Sequence, residues 1–259
     1  RAFYVGLSPD NTNAAYIVHT ADNKYALSLY HLPTKSETVI IQPQELHIRN
    51  INFSPDANYI YYLAAQGTVR HRIYRIPIYG GSPQLITDDL TNHFTISPDG
   101  EWLAFYRMLP NANLIEICRS NDCSERRVVA KREGLEGFLV WGAAPAWSPD
   151  GTKFAAAAFT RQREGERGRL HLVEVDVGSG EQKLIAAPDW YDVHQPLWRP
   201  DGSGLYVMVR ENQGEPVQLW QLDYPSGRAR NLTNDDNDYR EVRVASDESF
   251  LLASIWNKS

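Results

Sequence analysis

The chain has 259 residues, is 42% hydrophobic and carries a formal net charge of −6. That length allows one large β domain or two small ones, with enough apolar content for a sizeable core. The acidic balance argues against a nucleic-acid binder, which needs a basic face. No apolar run reaches the length of a membrane span, and two cysteines cannot complete a four-ligand zinc site.

The chain opens on Arg1 with no signal peptide, and is expected to be a piece of a longer protein. An apolar stretch ends at Leu7 and "SPDN" follows from Ser8. Ala14 and Tyr16 then restore an alternation of two, which reads as strand, tight turn and second strand. "YALSLYHL" (25–32) is a third strand, "PTKS" (33–36) a hairpin turn and "TVII" (38–41) a fourth strand.

The same order returns down the chain. "SPDA" at Ser54 is flanked by Phe53, Ile60 and Tyr62, then "RIYRIPIY" (72–79) and "PQLIT" (83–87). "SPDG" at Ser97 is flanked by Ile96, Leu103 and Phe105, then "LIEICRS" (114–120) and "RVVA" (127–130). "SPDG" at Ser148 is flanked by Trp147, Phe154 and Ala156. In its third strand Val173, Val175 and Val177 alternate with Glu174 and Asp176, the pattern of a half-buried strand. "RPDG" at Arg199 is flanked by Trp198, Leu205 and Val207, then "VQLWQLDY" (217–224) and "ARNLT" (229–233). The last copy is read as "SDES" at Ser246, with Ala245 before it and Leu252 and Ser254 after it; strands over 239–244 and 250–255 end the chain.

Six copies separated by 46, 43, 51, 51 and 47 residues, the first five predicting four antiparallel strands and none a helix, specify an all-β, six-bladed β-propeller. It forms a single domain over 1–259. Its sixth blade is incomplete, and the missing two strands are expected in sequence beyond this stretch, because an open ring leaves strand edges bare. The repeated tetrapeptide is turn chemistry: Pro presets φ, Asp bonds its own backbone and Gly closes the turn.

These motifs, with "IYRIPIYGGSPQLIT", resemble the TolB-type propeller repeat along the whole chain. "FSPDANYIYYL", "AWSPDGTKFA" and "LDYPSGRARNLTNDDNDYR" are most similar to the C-terminal propellers of bacterial eukaryotic-like serine/threonine kinases and winged-helix transcriptional regulators. That resemblance implies a non-catalytic sensor or protein-interaction domain regulating an upstream kinase or transcription-regulator domain, on the extracytoplasmic side of a membrane-anchored protein, with a cytoplasmic setting as the alternative. From the charge, the scattered histidines and the absence of a long apolar run, no cofactor, metal, nucleic-acid contact or membrane insertion is expected of the domain itself. The alternative is a propeller enzyme, or the accessory propeller of a prolyl-oligopeptidase-like hydrolase. The chain has no G-x-S-x-G, Walker, H-E-x-x-H or G-x-G-x-x-G motif.

In such a fold the first strand of each blade lines the channel. The loop entering that strand and the loop between strands two and three share one mouth. Arg49, His93, Trp141, His194, Tyr239 and Arg240 fall at or near that mouth and are the expected site for a protein segment or small ligand. The arginines offer donor forks, the aromatics apolar contact, and the histidines a response to pH near neutrality. Trp141 and Trp190 read equally well as caps on blade packing. Asp235–Asp238 lacks calcium-loop spacing and reads as solvated, as does "TRQREGERGR" (160–169). Cys118 and Cys123 flank a hairpin turn, within reach of a disulfide; oxidation there would place the chain outside the cytosol.

Overall fold

A computed structural model describes residues 2–65, 71–90, 93–140 and 144–256. Blade 1 comprises β1 (Ala2–Leu7), β2 (Asn13–His19), β3 (Tyr25–His31) and β4 (Ser36–Gln44). Blade 2 comprises β5 (His47–Phe53), β6 (Tyr59–Ala65), β7 (His71–Pro77) and β8 (Gln84–Leu90). Blade 3 comprises β9 (Phe94–Ile96), β10 (Trp102–Leu109), β11 (Ala112–Arg119) and β12 (Arg127–Glu133). In blade 4 the first strand is split into β13 (Glu136–Phe138) and β14 (Ala146–Trp147), both paired with β15 (Lys153–Thr160); β16 (Arg169–Asp176) and β17 (Gln182–Leu184) follow. Blade 5 comprises β18 (Asp192–Trp198), β19 (Gly204–Arg210), β20 (Gln218–Asp223) and β21 (Ala229–Asn231); blade 6 holds β22 (Asp238–Val244) and β23 (Leu251–Trp256). Every pairing is antiparallel and, apart from β13 with β15, joins neighbours in sequence, so the chain is an all-β, six-bladed propeller whose sixth sheet has two strands among the described residues.

The repeated turn is built as its residues dictate. Ser8 Oγ donates to Asp10 Oδ1 at 2.5 Å and accepts from the Asn13 amide at 2.8 Å. Ser54, Ser97 and Ser148 repeat the bond to Asp56, Asp99 and Asp150, each at 2.5 Å. The fourth turn residue is left-handed in every blade: Asn11, Ala57, Gly100, Gly151, Gly202 and Glu248 have φ of 57°, 57°, 78°, 70°, 72° and 56°. That conformation explains the preference for Gly and Asn there.

The turn geometry corrects the sixth copy by one residue. Glu248 N donates to Ala245 O, as Asn11 N does to Ser8 O, so Ala245 and not Ser246 opens the turn. Val244, Leu251 and Ala253 then take the flanking apolar positions. The letters "SDES" imitate the motif more closely than "ASDE" does, and only the hydrogen bond separates the two registers.

The core lies between blades. Ile17, Leu27, Ile48 and Tyr62 join blades 1 and 2; Leu63, Ile73, Phe94 and Phe105 join 2 and 3; Ile115, Phe138, Phe154 and Val173 join 3 and 4. Leu172, Trp190, Val193 and Val207 join 4 and 5, and Tyr206, Met208, Leu219 and Val242 join 5 and 6. Middle strands are covered on both faces, which is why "YIYYLAA" and "KFAAAAFT" are apolar without alternation. The alternation expected in β16 is not half-buried: Glu174 is itself buried and pairs with Lys153 Nζ at 3.1 Å, because blade 5 covers the outer face as well. Cys118 and Cys123 are disulfide-bonded, with Cα atoms 4.7 Å apart.

Candidate functional site

Counting back four residues from each turn's first residue gives Tyr4, Asn50, His93, Ala144, Gln195 and Glu241, one per blade. These positions sit on or beside the first strands, which approach one another around the axis. Four first strands carry a bulge at or next to this position, between Phe3 and Val5, Arg49 and Ile51, Val193 and Pro196, and Tyr239 and Glu241. A bulge inserts an unpaired residue and re-aims its side chain.

Three of the six act as latches between blades. Asn50 Oδ1 accepts from the Phe94 amide at 3.1 Å, Gln195 Oε1 from the Val242 amide at 3.5 Å, and Glu241 Oε2 from the Val5 amide at 2.9 Å. In each case the donor is the following residue position in the next blade. Ala144 offers no side-chain acceptor, and the matching position in blade 5 is Pro196, which has no N–H. The position facing His93 is Pro145, likewise without a donor. His93 is therefore released from the latching role, and so is Tyr4, whose ring lies 6.4 Å from that of His93.

The surroundings of this pair are cationic. Burial, then Arg243, Arg49 and His71, depress the His93 imidazole to about 4, so it is neutral at pH 7. That corrects the expected pH response near neutrality at this residue: a cationic, desolvated setting holds the ring in its neutral form. Burial raises the Tyr4 phenol, with Arg49 opposing and Glu241 and Tyr25 reinforcing. Arg243 is ion-paired with Glu241 at 2.6 Å and donates to Ile51 O at 3.4 Å. Arg49 is half-buried, and no carboxylate or carbonyl partner holds it among the described residues. The arrangement offers a guanidinium, a phenol and a neutral imidazole to an acceptor group entering the channel.

Of the residues expected from sequence, the structure brings Arg49 and His93 together. His194 lies at the bulge of β18, with Nε2 3.3 Å from Asp192 Oδ2, and no described contact links it to His93. Burial favours a neutral Asp192, but the His194 hydrogen bond and the charges of His194, Arg167 and Arg210 outweigh it and hold the carboxyl below its ordinary range. Tyr239 donates to Asp235 Oδ2 at 3.0 Å and packs in the junction of blades 5 and 6. Arg240 is the bulged residue of β22. Trp141 and the side chain of Arg240 lie outside the described residues. Trp190 is buried edge-on to Trp220 at 5.8 Å, the packing role. Among the described residues no three His, Cys, Asp or Glu side chains converge on a metal position.

Tyr4, Glu241 and Arg243 were missed. The signal for them was a repeat alignment read upstream of the turn, and the off-by-one sixth register placed Val242 where Glu241 belongs.

No family model matches the chain. Dipeptidyl-peptidase 5 of Porphyromonas gingivalis is 24% identical over 157 residues, covering 60% of this chain and 22% of that protein. The uncharacterized peptidase YuxL of Bacillus subtilis is 38% identical over 73 residues, 28% of this chain and 10% of that protein. The matched stretches thus span less than a quarter of either curated relative. Among solved structures, a putative TolB from Agrobacterium tumefaciens superposes with a TM-score of 0.72 at 17% identity, covering 90% of this chain and 78% of that one. The propeller domain of the Trilobed protease from Pyrococcus furiosus superposes with a TM-score of 0.62 at 11% identity, covering 99% of this chain and 79% of that one. These likenesses show a TolB-like six-bladed propeller fold.

Proposed function

We propose that the chain is the non-catalytic propeller of a larger peptidase-type protein, and that its channel mouth receives a peptide segment. The observation that carries the binding role is the convergence of Arg49, Tyr4 and His93 from three blades, freed from the latching that Asn50, Gln195 and Glu241 perform. A half-buried guanidinium with no ion pair among the described residues favours a carbonyl or carboxylate ligand. The two relatives named as peptidases, and the protease propeller of the same fold, support the accessory role. This corresponds to the hydrolase-associated alternative. The sensor role, with attachment to a kinase or winged-helix regulator, rests on the resemblance of the stretch ending in Asp238, Tyr239 and Arg240. An extracytoplasmic, membrane-anchored setting belongs to that second reading as well; among the described residues no helix is long and apolar enough to cross a membrane.

The test is the Arg49→Ala, His93→Ala double variant, assayed against a library of fluorescent pentapeptides with amidated C-termini. The expected result is a loss of binding of at least about tenfold, the scale of one or two charged hydrogen bonds, with the melting temperature little changed. Peptide affinity that survives the double change would remove the site from the channel mouth. Flanking sequence encoding a kinase or winged-helix domain, instead of a hydrolase domain, would replace the accessory reading with the sensor reading.

A further inference from the structure

A cleft of about 420 Å³ opens where blades 3, 4 and 5 meet. That volume lies within the range of about 300–1,000 Å³ typical of small-ligand sites. It is separate from the Tyr4, Arg49 and His93 group, and the proposed channel function does not use it. Phe138, Leu139, Phe159 and Leu170 form its apolar wall, and Met108, 41% exposed, stands at the rim.

Two glycines permit this wall. A Cβ at Gly137 would fall 2.4 Å from both Asn113 Oδ1 and the Phe159 ring, and one at Gly168 would fall 2.9 Å from Phe159 Cβ. Phe159 therefore occupies space that any other residue at these positions would contest.

The polar groups of the cleft are unevenly satisfied. Asp192 faces Arg210 Nε at 4.0 Å and His194 Nε2 at 3.3 Å. Arg167 lies over the Tyr191 ring at 3.4 Å and donates to Tyr191 O at 2.7 Å. Arg161 lies over the Phe159 ring at 4.6 Å, and its Nε is buried with no hydrogen-bond acceptor among the described residues. A buried donor without an acceptor is costly, and native structures seldom leave one. An apolar wall ending at an unmet guanidinium N–H matches a ligand with an apolar body and an anionic end.

We propose that this cleft binds the C-terminal residue of a peptide with a large apolar side chain. The side chain lies against Phe138, Phe159 and Leu170, and the free carboxylate accepts from the Arg161 guanidinium. Asn113, at the blade 3 side, supplies an amide to the peptide backbone.

The experiment is an NMR titration of the isotope-labelled chain with N-acetyl-L-phenylalanine, its C-terminal amide and acetate. The acid is expected to bind saturably, the amide at least about tenfold more weakly, and acetate not at all over the same range, since one charge-assisted bond is worth about a decade in affinity. Arg161→Met keeps the stem on Phe159 but removes the donor, and is expected to abolish the preference for acid over amide. Met108→Trp, at an exposed rim position, fills the cleft and is expected to weaken both ligands; it serves if the Arg161 variant does not fold. The Arg49→Ala, His93→Ala variant is expected to bind the acid as the parent does, which separates this site from the channel mouth. Equal affinity for acid and amide, no saturable binding at millimolar acid, or indifference to Met108→Trp overturns the proposal.

Discussion

The amide of Phe94 donates to Asn50 Oδ1 at 3.1 Å, tying the first strand of blade 3 to that of blade 2. Asn50 is buried and has a φ of 44°, so one residue supplies both an inter-blade acceptor and a left-handed backbone. Asn50→Ala strands the Phe94 N–H, at about 1–3 kcal/mol, and adds a left-handed penalty of about 1–2 kcal/mol. Asn50→Gly loses the bond but not the backbone fit. Urea midpoints are expected to fall in the order Asn50, Gly, Ala; an Ala variant as stable as the Gly variant would contradict the bulge geometry.

Arg199 grips Glu248 with two bonds of 2.8 Å, Nε to Oε1 and Nη2 to Oε2, while Tyr206 donates to Oε1 at 2.8 Å. These bonds join blade 5 to the last turn. The Arg199 hydrogen bond chiefly holds the Glu248 carboxyl below its ordinary range. A depressed carboxyl pKa stabilises the fold above the unfolded value, near 4.3, and that stability is lost as pH falls through the folded value. Glu248→Gln is expected to melt about 2–4 °C below the parent at pH 7, equivalent to about 1 kcal/mol. The gap is expected to close below pH 4 in thermal scans.

His93 titrates at about 4 in the fold, against about 6.5 unfolded. Between those values the unfolded chain takes up a proton that the fold refuses, so stability falls as pH drops through that window. The groups facing it are Arg243, Arg49 and His71. His93→Gln is expected to flatten the decline in urea midpoint between pH 7 and pH 4. Ring carbon shifts showing His93 protonated at pH 6 would refute the neutral assignment.

The Cys118–Cys123 bond closes a sequence separation of 5. Loop entropy for so short a closure bounds its contribution at about 2 kcal/mol. Non-reduced protein prepared under oxidising conditions is expected to show the linked peptide by mass spectrometry, and Cys123→Ser to lower the melting temperature by a few degrees. Two free thiols in that material would count against the bond.

Much of the fold was legible because its signal is local and repeated. Ser-Pro-Asp-Gly dictates a turn whatever surrounds it, and alternating apolar residues on each side mark the strands it joins. Six repetitions exclude a sandwich and imply a ring. The sixth register failed because letter matching favoured "SDES", while the φ of 56° at Glu248 and its bond to Ala245 O decide otherwise. Glu174 failed for a related reason: a charged letter in an alternating strand implies solvent, but a propeller blade has neighbours on both faces.

The site was half legible. Arg49 and His93 were placed at the channel mouth because each falls at or near the N-terminal end of a first strand. Which polar residues serve the ring and which are left over for a ligand was decided only in three dimensions. Asn50, Gln195 and Glu241 look as functional in sequence as His93 does, yet each satisfies an amide in the next blade. That pairing depends on contacts across blades, up to 236 residues apart for Val5 and Glu241. By itself the sequence determined the turns, the strands and the blade count, since these follow from backbone preferences of a few adjacent residues. The tertiary structure alone decided which side chains remain unmet, because hydrogen-bond satisfaction belongs to neighbours in space and not to neighbours in the chain.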